Sequence, residues 1–144
     1  MTDPAPDRPR TPYLGTYLLW LVGTLVALTL LEFLLAALVD FGIPPGVTAI
    51  IPAMVAANQV GDRWGRERGV PTPSEAWRWA IVAAIAFLAM QLLLAPLAIL
   101  ALGLPMDGTL AVILVMTLAL FTAAVIFVNR FFMPQAARRA VAKG

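Results

Sequence analysis

From Tyr13 to Val39 the chain runs 27 residues with a single charge, Glu32. At 1.5 Å per helical residue this run is roughly 40 Å long, against a hydrocarbon core of about 30 Å. It reads as a membrane-crossing helix that tilts or protrudes. A carboxylate inside such a helix costs a few kcal/mol on insertion scales. The run's eleven leucines, at roughly −0.5 kcal/mol each, outweigh it.

Further apolar runs follow, and only 12% of the 144 residues are charged, where a soluble domain carries about 25%. That leaves too little polar surface to cover a water-soluble globule. The expected fold is an all-α membrane protein, one domain of four transmembrane helices in two hairpins. The chain has no cysteine and no histidine. Disulfides, thiolate zinc sites and histidine switches are thereby excluded, and no metal or cofactor is expected. Basic residues are not interleaved with aromatics along one face, so no nucleic-acid partner is expected either.

Residues 1–11 are polar and proline-rich and read as a disordered cytoplasmic tail. The apolar run that follows is longer than a signal-peptide core and reads as an uncleaved first span. Thr11 and Pro12 form a helix-start signal for a first span over 12–40, with Tyr13, Tyr17 and Trp20 marking an interface. Asp40, Gly42, Pro44 and Pro45 stop it.

The second span is placed at 45–64, a length of 20 residues that just crosses the core if Arg63 snorkels. Pro52 kinks it. Ala49, Ala53, Ala57 and Gly61 recur every fourth residue, a small-residue stripe that admits another backbone at close range. A re-entrant loop is the competing reading.

Gly61, Gly65 and Gly69 then break regular structure, giving a loop over 65–72. Thr72-Pro73-Ser74-Glu75 has the spacing of a capping box and starts the third span, 73–102, with Trp77 and Trp79 as interfacial anchors. The fourth span is 109–132. Pro134 is expected to break it, leaving a basic tail over 134–144.

Charge sets the orientation. Arg8 and Arg10 precede the first span. Arg63, Arg66, Arg68 and Arg78 lie between the second and third. Arg130, Arg138, Arg139 and Lys143 close the chain, which accounts for all ten basic residues. The other two connections carry only Asp40 and Asp107. The positive-inside rule then places both termini and the central loop in the cytoplasm.

Glu32 is the sharpest candidate residue, because an intramembrane carboxylate suggests proton or cation handling. Its bland role is a hydrogen bond to a neighbouring helix, for which Gln91, or the carbonyls near Pro96, would serve. Asn58 and Gln59, near the end of the second span, are candidates for the same intramembrane polar site. Arg63, Arg66, Arg68, Arg78, Arg138 and Arg139 are candidate lipid or anion contacts, with no phosphate-binding loop motif among them. No nucleophile–base pair appears, and the only serine, Ser74, belongs to the capping box. No catalytic residue and no enzymatic activity is expected.

The run RERGVPTPSEAWRWA, preceded by PAMVAANQ, resembles a family of small bacterial four-span membrane proteins of uncharacterised function. The shared pattern falls on Arg68, Pro71, Thr72, Glu75 and Trp77. The resemblance implies a bacterial inner membrane and a four-helix fold, and no activity. Small multidrug-resistance exporters also have four helices and a glutamate in the first. This chain departs from them in its strong loop-charge bias, its longer central loop, and a glutamate in the outer third of the helix. The expected role is an accessory or scaffolding subunit that acts through helix contacts in a larger membrane complex or by self-association. The alternative is a small proton- or cation-coupled transporter using Glu32.

Overall fold

The computed structural model describes residues 11–39, 45–103, 105 and 107–143. Four helices make up nearly all of it: α1 (Leu14–Val39), α2 (Pro45–Arg68), α3 (Pro73–Leu102) and α4 (Gly108–Lys143). The expected tail up to Arg10 and the stop at Asp40–Pro44 lie outside the described residues. Helices α1, α3 and α4 are long and apolar enough to cross a membrane; α2, which carries charged residues through its last two turns, is not among them.

Helix boundaries follow local chemistry, with three corrections to the sequence reading. The first is at the start of α1. Tyr13 takes a left-handed φ of 66°, so Pro12 is not the first helical residue and helix begins at Leu14. The Tyr13 carbonyl accepts from the Tyr17 amide at 2.9 Å.

The second concerns Gly61 and Gly65, which sit inside α2 and do not end it. The true stop is Gly69, at φ 79°, a conformation that costs an L side chain energy but not glycine. The third is α4, which runs through Pro134 to Lys143. Pro134 lacks an N–H and costs a helix about 3 kcal/mol. Met133, Ala136 and Ala137 pack against α2 and support the helix on both sides of it.

The start of α3 is as expected. Thr72 accepts from the Glu75 amide at 3.3 Å, and the Glu75 carboxylate accepts from the Thr72 amide at 2.8 Å. At the other end Gly103, at φ 63°, caps α3. Asp107 caps α4 by accepting from the Leu110 amide at 2.7 Å.

Packing is dominated by α2 on α4, flanked by α1 on α2 and α3 on α4. Gly61 lies against Met133 and Ala136, and Gly65 against Ala137, so α2 and α4 advance together and run parallel. A Cβ on Gly61 would stand 2.8 Å from the Ala136 Cβ, and closer still to the Met133 carbonyl. The small-residue stripe therefore does what its spacing suggests, and extends one turn further than expected, to Gly65.

The core is gathered at one end, called basal here, where the 69–72 connection lies. Tyr17, Leu21, Ala53, Ala57, Val60, Trp64, Trp79, Ala83, Phe87, Val125, Asn129 and Met133 are all buried there. Tyr17 and Trp79, expected as interfacial markers, belong to this core, whereas Trp20 and Trp77 are exposed. At the far end the helices present apolar side chains outward, among them Leu30, Phe33, Leu38, Leu97, Leu100 and Val112.

Candidate functional site

The polar chemistry of the described residues is concentrated at the basal end, where α1 begins, α2 ends, α3 begins and α4 passes. Three layers can be built from the residues upward.

The innermost layer is buried. Asn129 of α4 donates from Nδ2 to the Tyr17 hydroxyl of α1 at 3.1 Å, with both side chains fully buried. Tyr17 also stands edge-on to Trp79 of α3, ring centroids 5.2 Å apart at 89°. Trp79 donates its indole N–H to the Pro12 carbonyl at 3.2 Å. Three helices thus meet on one tyrosine. The remaining oxygen of Asn129, Oδ1, is buried with no protein partner.

The second layer surrounds Tyr13. Its hydroxyl donates to Glu67 Oε2 at 2.5 Å, its ring lies 5.1 Å beneath the Arg63 guanidinium, and it meets Trp64 edge-on at 6.1 Å. Arg63 itself donates to Glu67 Oε1 at 2.9 Å and to Thr16 at 3.3 Å. The bonds from Tyr13 and Arg63 hold the Glu67 carboxyl below its ordinary pKa. Burial, then the bond to Glu67, raises the Tyr13 phenol. This cluster ties the strained start of α1 to the end of α2.

The third layer is cationic. Arg66 pairs with Asp62, Arg68 lies 5.3 Å over Trp64, and Arg130 lies 5.7 Å over Trp77. Arg139 donates to Asn58 Oδ1 at 3.0 Å and to the carbonyl of Gln135 at 3.4 Å. Arg78 and Arg138 are exposed. Among the described residues every arginine and lysine lies at this end.

The residues expected to act are therefore distributed unevenly. Arg63, Arg66 and Arg68 are engaged within α2 and its neighbours, while Asn58 and Gln59 line one groove with Arg139. Glu32 and Gln91 are half-buried and are not joined. No hydrogen bond or ion pair is made by either among the described residues, so the expected Glu32–Gln91 bond is not present. Asn129, not singled out among the candidate residues, is a fully buried polar side chain. Its signal was available: it follows Val125 and Phe121 at intervals of four, on the face that packs inward.

No group of three or more acidic side chains that could hold a metal occurs among the described residues. No family model, curated protein or solved structure matches the chain. Residue roles rest accordingly on the geometry above.

Proposed function

We propose that this is an integral membrane protein whose four helices cross a bacterial inner membrane, with the basal end and both termini in the cytoplasm. It acts through helix contacts, as an accessory or scaffolding subunit of a larger membrane assembly. The observation that carries the reading is the distribution of polarity. Hydrogen-bonding groups are spent at the basal end in contacts between the protein's own helices, and the far end offers apolar helix surface.

Helix lengths support the placement. From the Tyr17–Trp79–Asn129 layer to the ends of α1, α3 and α4 is 22, 23 and 21 residues. At 1.5 Å each these are roughly 32–35 Å, close to a hydrocarbon core of about 30 Å. The layer then lies at one interface, and all the described basic residues fall at it or beyond, as the positive-inside rule requires of a cytoplasmic side. Helix α2 runs 12 residues from Ala57, level with Asn129, to Pro45, roughly 18 Å, and is proposed as the fourth crossing under the shelter of α1 and α4. Its alternation of direction with α1 and α3 supports two hairpins.

The cysteine-free sequence makes the test direct. Single cysteines at Ser74, Gly108 and Ala142 are expected to label from the cytoplasmic, periplasmic and cytoplasmic sides respectively. Labelling of Gly108→Cys from the cytoplasm would overturn the topology. Mild-detergent purification tests the role, since a scaffold migrates with a larger complex or as a defined oligomer.

One observation favours transport as a second reading. Glu32 is half-buried in α1 and has no hydrogen-bond or ion-pair partner among the described residues. Its carboxyl is thus open to a proton or cation. Flux in proteoliposomes that Glu32→Gln abolishes would establish that reading over the first.

A further inference from the structure

A polar cavity of about 250 Å³ lies between α2 and α4, lined by Asn58, Gln59, Asp62, Ala136, Arg139 and Lys143. We infer that it holds the phosphate of an anionic phospholipid headgroup from the leaflet at the basal end.

Charge comes first. Asp62 is already paired with Arg66, so its carboxylate is neutralised from within α2. Arg139 and Lys143, one helical turn apart, have no carboxylate partner among the described residues. The cavity is therefore cationic by two charges.

Geometry comes second. Arg139 is fixed rather than free: it donates to Asn58 on α2 and to Gln135 on its own helix. Those bonds use Nη2 and Nε, and a guanidinium has five N–H donors in a planar fork. The remaining donors suit a phosphate. Both bonds also turn the side chain back along α4, toward the layer of Asn129. Asn58 and Gln59 supply neutral amides at the upper rim.

Depth comes third and selects the source. Gly61 lies beside Met133, four residues past Asn129, which puts Asn58 within one turn of the interfacial layer. Lys143 lies roughly 20 Å below Asn129 along α4. Between them the cavity occupies headgroup depth, where phosphodiesters stand and where anionic lipid concentrates basic residues. Arg138 is equally basic and exposed but lies outside the cavity, so it separates a built site from a diffuse basic tail.

The headgroup depth of this cavity rests on the membrane placement proposed above. Lipid retention in detergent does not depend on orientation, so the two can fail separately. The test is native mass spectrometry of the full chain in detergent, titrated with phosphatidylglycerol, phosphatidylcholine or inorganic phosphate. Phosphatidylglycerol is expected to be retained over phosphatidylcholine. Arg139→Gln should weaken it about tenfold, the loss of a charge-assisted contact, and Arg138→Gln less than about twofold. Arg139→Lys should fall between, with helical content unchanged by circular dichroism, which guards against misfolding. Equal effects of Arg138→Gln and Arg139→Gln would overturn the site in favour of a diffuse field. Displacement of the lipid by millimolar inorganic phosphate would overturn the lipid assignment.

Discussion

Replacing Gly61 by alanine adds one methyl group at the tightest point of the bundle. The new Cβ would lie 2.8 Å from the Ala136 Cβ and 2.9 Å from the Met133 carbonyl carbon. Neither neighbour is the flexible end of a side chain, so relief requires the two helix backbones to part. Overpacking of this kind costs about 1–3 kcal/mol. Alanine also favours helix over glycine by about 1 kcal/mol, which masks part of the cost. Gly23 provides the correction: it is inside α1, and a Cβ there meets nothing within 4 Å. The difference between Gly61→Ala and Gly23→Ala removes the propensity term and leaves the steric one, about 1–3 kcal/mol. Gly65→Ala, whose Cβ would stand 2.8 Å from the Ala137 Cα, should behave as Gly61→Ala does. The two sites are one turn apart, so the double variant will not be additive. Reversible unfolding in mixed micelles, followed by fluorescence of buried Trp64 and Trp79, reads these differences. Agreement of all three variants within about 0.5 kcal/mol, the usual scatter of a surface change, would refute main-chain contact between α2 and α4.

Three further outcomes are expected. Asn129→Leu keeps the branched shape of the side chain and loses the bond to Tyr17, whose share of the cost should stay below about 1.7 kcal/mol, the upper range for bonds between membrane helices. Asn129→Ala leaves a cavity and should cost more in the same unfolding assay. Thr72→Ala removes the cap of α3 and should destabilise by about 1 kcal/mol, with amide exchange rising first in the turn after Pro73. Because the fold depresses the Glu67 pKa, its contribution is complete above the ordinary carboxylate value of about 4.3 and fades as pH falls through the lower folded value. Trp64 emission should shift over that acid range in the wild type, and Glu67→Gln should abolish the shift.

How much of this was legible in the chain depended on the kind of signal. The Thr72–Glu75 box acts through groups within a few residues and was visible. The small-residue stripe was also visible, since its period of four is a property of one helix. Gly61, Gly65 and Pro134 were misread because propensity argues for breaks there. Their helical state depends on each other across α2 and α4, and a partner distant in sequence has no local mark. The candidate site divides similarly. Arg139 could be named as a lipid contact from charge alone. Its difference from Arg138 lies in Asn58, 81 positions away. Glu32 was conspicuous through its isolation in an apolar run, a criterion that says nothing about what surrounds it.

With glycine on one side and alanine on the other, α2 and α4 touch without rotamers between them that could absorb a displacement. The end of α4 projects past the Tyr17–Trp79–Asn129 layer by about fourteen residues, roughly 21 Å of helix. A load applied at Lys143 would pass undamped along the pair, turning both helices as a single lever about Tyr17, the α1 side chain that Asn129 and Trp79 hold.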